Sequence, residues 1–315
     1  MGEFDLIRRF FVRPARRAAL GNGDDCALLA PSPGMHLAVS SDMLVEGRHF
    51  LSTVDPARLG HKALAVNLSD LAASGAQPLA FTLALALPRA DESFLAPFSR
   101  GLLALADAHG CELVGGDTTQ GPLNICITVF GEVPVGQALL RSGARAGDDL
   151  WVSGTLGDAR LALEVFRGGL TVGADTFESA RARMETPTPR VALGIALRGI
   201  ATSAIDVSDG LLGDLGHVLH ASGVGACIHI PAALGLMASP YQGERRLEFV
   251  LAGGDDYELA FTAPPAMRAA VLNAAAGAGA AVTRIGVIDA APGLHLRDAQ
   301  GNIVDAAYAS FDHFA

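Results

Sequence analysis

Residues 203–215 read SAIDVSDGLLGDL, and this stretch decides the fold class. Its apolar run predicts a short buried strand, Ser203–Val207. An SDG turn follows, and Ser and Asp are residues that cap helix N-termini. The spacing of apolar residues beyond the turn predicts a helix from Ser208 to about Ser222. A strand, an acidic turn and a helix in succession are typical of proteins that combine helices with a sheet.

The same alternation extends in both directions from this stretch. Before it we predict strands at 37–40, 79–87, 123–133 and 150–153, another strand ending at Val114, and helices at 59–74, 92–108, 158–167 and 190–198. After it we predict strands at 226–230, 257–262 and 282–288 and a helix within 269–281. A Pro134 and Gly136 break, followed by a Gly- and Arg-rich segment, indicates a boundary near residue 140. With 315 residues, we expect an α/β (α+β) protein of two domains, 1–140 and 141–315.

Composition excludes several classes of partner. The formal net charge is -10, and binding a polyanion such as nucleic acid needs a basic face. The apolar runs are much shorter than the roughly 18 residues of a membrane span. The four cysteines form no Cys-x-x-Cys pair, which predicts buried, reduced thiols in a cytoplasmic protein. We therefore expect no nucleic-acid partner and no membrane partner.

Five arginines cluster near the N-terminus, at positions 8, 9, 13, 16 and 17. An Arg-rich start is typical of transit peptides, but this one contains Glu3 and Asp5 and lacks Ser enrichment. We therefore predict a folded N-terminal helix.

A recurring pattern places Asp beside Gly or Ser where a strand ends or a helix begins. It occurs at Gly23-Asp24-Asp25, Ser40-Ser41-Asp42, Asn67-Leu68-Ser69-Asp70, Gly115-Gly116-Asp117, Asp206-Val207-Ser208-Asp209-Gly210 and Gly253-Gly254-Asp255-Asp256. Each instance alone could be a helix cap or a turn. Gathered at the carboxyl ends of strands, where open α/β sheets bind ligands, the carboxylates predict a cation site. Oxygen ligands without His or Cys favour Mg²⁺ over zinc, and Mg²⁺ bridging carboxylates to phosphates indicates phosphoryl transfer.

The usual nucleotide-binding motifs do not fit this chain. Lys62 is the only lysine, so the Gly-x-x-x-x-Gly-Lys-Ser/Thr loop cannot occur, and there is no His-Arg-Asp triplet. Gly21-Asn22-Gly23 misses the dinucleotide fingerprint because Cys26 stands where its third glycine belongs.

Longer stretches of the sequence resemble the motifs of one known family. They are GEFDLIRRFF (2–11), GDDCALL (23–29), SSDMLVEGRHF (40–50), HKALAVNLSDLAASGA (61–76), GGDTT (115–119), RSGARAGD (141–148), SAIDVSDGL (203–211) and GGDDYELAFT (253–262). In order and spacing the chain resembles the thiamine-monophosphate kinase family. That family belongs to a superfamily with aminoimidazole ribonucleotide synthetase and selenophosphate synthetase. The resemblance runs from Gly2 to Phe314 and so covers essentially the whole chain.

The resemblance implies a two-domain fold like that of aminoimidazole ribonucleotide synthetase. Its N-terminal domain, with a mixed sheet, would bind ATP and metal and pair with its twin in a homodimer, and its C-terminal α/β domain would close the cleft. The implied reaction is direct in-line phosphoryl transfer from ATP to thiamine monophosphate, giving thiamine diphosphate. ATP, thiamine monophosphate and several Mg²⁺ ions would bind in that cleft.

The implied site residues are carried over from the matching motifs. The metal ligands are Asp25, Ser40, Ser41, Asp42, Asp70, Asp117, Asp206 and Asp209; the ATP contacts are Gly116, Asp117, Arg141 and Ser208; the substrate contacts are His49, Asp255 and Phe311. No acid or base residue is implied, because a phosphate nucleophile is already anionic at neutral pH. The family commonly has Glu at the position of Asp255 and Trp or Tyr at that of Phe311. The carboxylate is therefore shorter here, and the aromatic ring lacks a polar group.

Two alternatives stay open. The first is another ATP-dependent synthetase of the same superfamily, although the reactive Cys expected of selenophosphate synthetase has only Cys26 as a candidate. The second is a noncatalytic sensor of nucleotide or thiamine phosphate. ATP turnover with thiamine monophosphate discriminates among the three.

Overall fold

The computed structural model describes residues 2–304 and residue 308, apart from the side chains of Glu3 and Phe4. Phe311, predicted as a substrate contact, lies outside the described residues. The chain separates into two units, Met1–Leu71 with Ala76–Gly136, and Ala72–Gly75 with Gln137–Ala315. The roles assigned to the two domains stay predictions.

The first unit contains a four-stranded mixed sheet. Its elements are α1 (Glu3–Phe10), β1 (Met35–Val45), α2 (Pro56–Ala73), β2 (Gln77–Leu87), α3 (Glu92–His109), β3 (Glu112–Gln120) and β4 (Asn124–Pro134). The strand order is β1-β4-β2-β3, with β2 and β3 parallel and the other pairs antiparallel. The predicted helices at 59–74 and 92–108 are confirmed as α2 and α3.

Helices α2 and α3 cross so closely that glycine is required on both. A Cβ atom on Gly60 would lie 2.1 Å from the carbonyl oxygen of Phe98, and one on Gly101 would lie 1.9 Å from that of Ala57. Helix α3 begins at Glu92 because the Asp91 carboxylate caps it by accepting a hydrogen bond from the Ser93 amide. The crossing fixes α2, which carries Asp70.

The N-terminal helix is shorter than its basic cluster. Helix α1 ends at Phe10, so the prediction of a helix is wrong for Arg13, Arg16 and Arg17. Carboxylates hold this segment instead. Arg13 pairs with Asp107 at 2.8 Å, and the Glu112 carboxylate accepts the amides of Arg16 and Arg17 at 2.8 and 3.0 Å. These exposed pairs orient the chain but add little stability.

The second unit contains a seven-stranded mixed sheet. Its elements are β5 (Asp149–Ser153), α4 (Asp158–Phe166), α5 (Ala174–Glu185), α6 (Val191–Ala196), β6 (Ser203–Val207), α7 (Leu211–Ser222), β7 (Gly225–His229), α8 (Ile230–Leu234), α9 (Arg246–Ala252), β8 (Glu258–Ala263), α10 (Arg268–Gly277), β9 (Val282–Asp289), β10 (Gly293–Arg297) and β11 (Ile303–Val304). The strand order is β11-β10-β7-β9-β5-β8-β6, and only β7 with β10 is parallel. The α/β fold class is confirmed.

Two expectations need correction. Helix α7 begins at Leu211 and not at Ser208, because Gly210 has a φ of 117°, outside the helical region, so the first helical residue follows it. The four cysteines are free, but only Cys111 and Cys227 are buried, while Cys26 is exposed. No described helix is long and apolar enough to cross a membrane.

Asp149 anchors the start of β5 to two arginines. Its side chain is nearly fully buried and accepts hydrogen bonds from Arg268 at 2.6 and 2.8 Å and from Arg284 at 3.1 Å. The hydrogen bonds from Arg268, followed by those from Arg284, lower the pKa of Asp149 despite its burial. A carboxyl with a lowered folded-state pKa stabilises the fold above its unfolded pKa, about 3.9, and loses that effect as the pH falls through its folded pKa.

We predict that Asp149→Asn lowers the unfolding free energy at pH 7 by about 1–2 kcal/mol, since it removes charge-assisted hydrogen bonds to half-exposed arginines. Urea unfolding at pH 7 and at pH 3 measures the effect, and the difference from the wild type should shrink at pH 3. Asp175→Asn, at an exposed position on α5, is the control. An equal difference at both pH values would contradict the electrostatic account.

Candidate functional site

The first unit brings predicted metal ligands together where β1 lies against α2. The Ser40 hydroxyl donates to the Asp70 carboxylate at 2.5 Å, and the Asp42 amide donates to the Asn67 side chain at 3.0 Å. Side chains alternate along a strand, so Ser40 and Asp42 point to the same face. Helix α2 is therefore the element that adds a second carboxylate to the oxygen ligands of β1.

Ser41 points to the opposite face of the sheet. Its hydroxyl contacts the Thr128 hydroxyl at 2.9 Å and donates to the carbonyl of Ile127 at 3.2 Å. Of Ser41, only main-chain atoms could therefore share an ion with the Asp42 and Asp70 carboxylates. Its role as a ligand stays a prediction.

Asp117 and Asp25 are not part of the Ser40–Asp70 contact. Asp117 is exposed on β3, at the sheet edge opposite β1, so two strands intervene. Three strand spacings of about 4.8 Å separate the two edges. Gly116 lies in the same row as Asp42, through Leu83 and Ile127.

Asp25 is exposed in the loop that precedes β1. Its amide donates to the carboxylate of Asp24 at 2.8 Å. Its role as a metal ligand stays a prediction.

His49 closes the turn after β1. Its Nδ1 accepts the Val45 amide at 3.0 Å, which in the neutral ring leaves the proton on Nε2. The ring is half-buried. The contact gives His49 a structural role, and its substrate role stays a prediction.

In the second unit, two acidic turns meet because β6 and β8 are antiparallel. Asp206 and Val207 end β6, and Val207 pairs with Glu258 at the start of β8. The sequence expectation was a crevice at the carboxyl ends of neighbouring strands. Here the end of one strand meets the beginning of the next, which places the turn 206–210 beside the turn 253–257.

The turn 253–257 has a strained backbone. Asp255 and Tyr257 have φ of 65° and 51°, and they are the two non-glycine residues with positive φ in the described part of the chain. Such conformations cost on the order of 1–3 kcal/mol each and persist only where the surroundings enforce them. The Asp255 amide donates to the Ser208 carbonyl at 2.7 Å, and the Tyr257 amide to the Val207 carbonyl at 2.8 Å.

Asp214, which sequence reasoning missed, holds the turn 206–210. One of its carboxylate oxygens accepts the amides of Ser208, Asp209 and Gly210 at 3.0, 3.1 and 3.1 Å. Burial, then the charge of Asp209, raises the pKa of Asp214 to about 7. The available signal was an acidic residue in the first turn of a helix that follows an SDG turn.

Arg141 is exposed, and its backbone is held by the end of α7. The Ser222 hydroxyl donates to the Arg141 carbonyl at 3.1 Å and accepts the amides of Gly143 and Ala144 at 3.1 and 3.2 Å. All hydrogen-bonding positions of that hydroxyl are used. Ser222 thus holds the backbone of residues 141–144. The Arg141 guanidinium on this loop could donate two hydrogen bonds to a phosphate.

The donor set fits Mg²⁺ better than a metal held by protein ligands alone. Among the described residues, no group of three or more His, Cys, Asp or Glu side chains could hold a metal ion. Zinc sites need such groups, whereas Mg²⁺ is held by one or two carboxylates and keeps waters and substrate phosphates as further ligands. The Ser40, Asp42 and Asp70 oxygens, and Asp206 with Asp209 in the other unit, fit that second description.

Family models cover most of the chain. The model of AIR synthase related protein, N-terminal domain, matches residues 23–133, and that of AIR synthase related protein, C-terminal domain, matches residues 145–299. The fold and its acidic turns therefore define a member of the AIR synthase related proteins.

Comparison with individual relatives identifies the family within the AIR synthase related proteins. A thiamine-monophosphate kinase of Salmonella typhimurium is 46% identical over 100% of this chain and 98% of its own. The crystal structure of the thiamine-monophosphate kinase of Stenotrophomonas maltophilia is 46% identical, with a TM-score of 0.83 over 89% of this chain and 91% of that one. AaThiL, solved in complex with AMPPCP and TMP, is 29% identical, with a TM-score of 0.78 over 90% and 89% of the two chains. This chain belongs to the thiamine-monophosphate kinase family.

We predict that Asp214→Ala destabilises the protein by about 3 kcal/mol or more, because it leaves three backbone donors without their acceptor. Asp214→Asn should cost less than about 1 kcal/mol, since a single oxygen accepts all three amides and an amide oxygen can replace it. Urea unfolding of the two variants measures the difference. Equal losses for Ala and Asn would show that the charge, and not the acceptor oxygen, holds the turn.

Proposed function

We propose that this chain transfers the γ-phosphate of ATP to thiamine monophosphate and so produces thiamine diphosphate. The observation that carries the proposal is 46% identity to a thiamine-monophosphate kinase across the full length of this chain. The binding of AMPPCP and TMP by a 29% identical relative supports ATP and thiamine monophosphate as the two substrates. Free, reduced thiols fit a cytoplasmic location.

In this proposal the protein positions two anions and leaves the nucleophile to the substrate. The terminal phosphate of thiamine monophosphate attacks the γ-phosphorus in line, and ADP leaves. No general base is needed because the attacking oxygen is already anionic. Catalysis of this kind depends on alignment and on neutralisation of charge.

Binding of ATP is assigned to Gly116, Asp117, Arg141 and Ser208. Arg141 suits a triphosphate because its planar fork can donate two parallel hydrogen bonds to phosphate oxygens. His49, Asp255 and Phe311 are assigned to thiamine monophosphate, and the Asp255 carboxylate suits the cationic thiazolium ring of that substrate.

Mg²⁺ is the metal that these oxygen donors fit. Asp25, Ser40, Ser41, Asp42, Asp70, Asp117, Asp206 and Asp209 are the residues proposed to hold several ions. When bound, Mg²⁺ would neutralise negative charge on the phosphate oxygens. The Ser40 hydroxyl, bonded to Asp70, would orient that carboxylate.

The reaction is tested by following ADP release and thiamine diphosphate formation with purified protein, ATP and Mg²⁺. We expect turnover with thiamine monophosphate and none with thiamine, hydroxymethylpyrimidine phosphate or aminoimidazole precursors. Turnover with an aminoimidazole precursor would favour the synthetase alternative. Binding of thiamine monophosphate without ADP release would favour the sensor alternative.

The same assay tests the metal assignment. Asp70→Asn should lower kcat at least about 100-fold while the circular dichroism spectrum stays unchanged, and excess EDTA should abolish turnover. Asp175→Asn, at an exposed position on α5, is the matched control and should keep wild-type turnover. Full activity in excess EDTA would rule out a divalent ion.

We also propose that two copies of the chain associate through the first unit. Leu37, Val39 and Met43 on β1 are 43%, 56% and 52% exposed and lie on one face, since they alternate with Ser40 and Asp42. Val39 pairs with Phe130 and Met43 with Cys126, both half-buried on β4. Apart from the Ser41–Thr128 pair between them, these residues form an exposed apolar face of the kind that is typical of an interface.

Light scattering on the eluting protein tests this association. We expect the wild type to have the mass of a dimer at micromolar concentration. Val39→Glu should elute as a folded monomer, because a twofold interface would contain the substituted residue from both copies. Leu272→Glu, on α10, is the control: it changes a leucine of similar exposure, 51%, in the other unit. A monomeric wild type would disprove the proposal.

A further inference from the structure

The turn 253–257 has alternating surroundings. Asp256 and Glu258 are 1% and 0% exposed, whereas Asp255 and Tyr257 are half-buried. The buried pair thus points into the second unit, and the two residues that alternate with it, Asp255 and Tyr257, have left-handed backbones. Two non-glycine residues keep that conformation only if contacts of the neighbouring residues enforce it.

Asp256 is fixed to a backbone amide. Both of its carboxylate oxygens accept the Gly157 N–H, at 3.0 and 3.1 Å. Arg183 donates to the backbone carbonyl of Asp256 at 3.3 Å. Side chain and main chain of this one residue are therefore both held from inside the unit.

Glu258 holds the other end of the turn. Arg190 donates to both carboxylate oxygens at 2.6 Å, Arg183 adds a bond at 2.8 Å, and the Ser153 hydroxyl donates at 2.6 Å. With Asp256 and Glu258 both fixed, Tyr257 has no freedom to relax to a negative φ. The strain is maintained by contacts on the buried side.

The outer side of the turn meets the loop of Asp206 and Asp209. The Asp255 amide is bonded to the Ser208 carbonyl, so the backbone that carries the Asp255 carboxylate is docked on that loop. A change in the left-handed φ of Asp255 would swing its side chain away from a fixed position.

We propose that Asp256 is a positioning residue for thiamine monophosphate. By binding the Gly157 amide, it keeps the turn in its left-handed form and so sets the Asp255 carboxylate where the cationic part of the substrate binds. This inference rests on the proposed function and extends it, since the site residues implied by the family resemblance do not include Asp256.

Steady-state kinetics of the full-length protein test the proposal. Asp256→Ala, which removes the acceptor of the Gly157 amide, should raise KM for thiamine monophosphate about tenfold, as Asp255→Asn should, while KM for ATP and kcat change less than about twofold. Asp149→Asn is the control. It removes a buried carboxylate of the same unit whose hydrogen bonds go to Arg268 and Arg284. It should lower stability and leave both KM values unchanged.

A second comparison distinguishes backbone strain at Tyr257 from a general loss of order in the turn 253–257. In the Asp256→Ala background, Tyr257→Gly and Tyr257→Ala both remove the side chain, but only glycine adopts positive φ without cost. The glycine variant should recover a several-fold lower KM for thiamine monophosphate than the alanine variant. Equal KM values for the two would overturn the proposal.

The remaining outcomes are also distinct. No turnover by the wild type would overturn the proposed function itself. A raised KM for Asp255→Asn with an unchanged KM for Asp256→Ala would overturn only the positioning role. If Asp256→Ala does not fold, Asp256→Glu displaces the carboxylate by one methylene from the Gly157 amide, and an unchanged KM for thiamine monophosphate in that variant would contradict the proposal.

Discussion

The second unit depends on one buried carboxylate, that of Glu258. A charge with no solvent exposure is costly unless it is paired and fully hydrogen-bonded. Arg183 comes from α5, Arg190 immediately precedes α6, and Ser153 ends β5, so neutralising this charge ties four elements together. Even the backbone nearby is constrained, since a Cβ atom on Gly154 would lie 2.0 Å from a Glu258 oxygen. Loss of both arginines would leave an unpaired buried charge, and breaking a buried ion pair typically costs about 3–5 kcal/mol.

Two kinds of aspartate look alike in the sequence but differ in burial and in hydrogen bonding. Asp214 and Asp256 are buried, and their carboxylates are used by backbone amides of the turns. Asp25 and Asp117 are exposed, and Asp209 is half-buried. The ordinary explanation of an acidic turn, a cap or a turn bond, is therefore correct for the first kind. In the second unit, Asp209 remains available to ligands while Asp214 holds the backbone of its turn.

Much of the fold could be predicted from the sequence because its signal is local. The strands at 79–87 and 123–133 have apolar patterns that need no distant partner, and both are confirmed. Helix α5 was missed because its apolar stripe is short, consisting of Phe177, Ala180 and Met184. Its arginines and Glu185 are held by ion pairs. Strand β1 was predicted only at 37–40 because polar residues interrupt the apolar run, whereas pairing with β4 extends it from Met35 to Val45.

The site was predictable as a set of residues and not as an arrangement. Asp256 and Gly157 are 99 residues apart in the chain, and Arg190 and Glu258 are 68 apart, so no local pattern connects them. Motif spacing gave the acidic turns but could not say that β6 and β8 are antiparallel, which is what brings two of the turns together. Tertiary pairing carries that information.

Strand β1 shows how far one register can determine both proposed roles of the first unit. Ser40 and Asp42 point to the face of α2, and Val39, Ser41 and Met43 point to the opposite, exposed face. Because the period of a strand is two residues, a slip of one residue would exchange the two sets. Eleven consecutive pairs with β4 fix the register, and the hydrogen bond from Ser41 to the Ile127 carbonyl adds to them. Metal binding and self-association, if both occur as proposed, therefore depend on the same ladder and cannot vary independently.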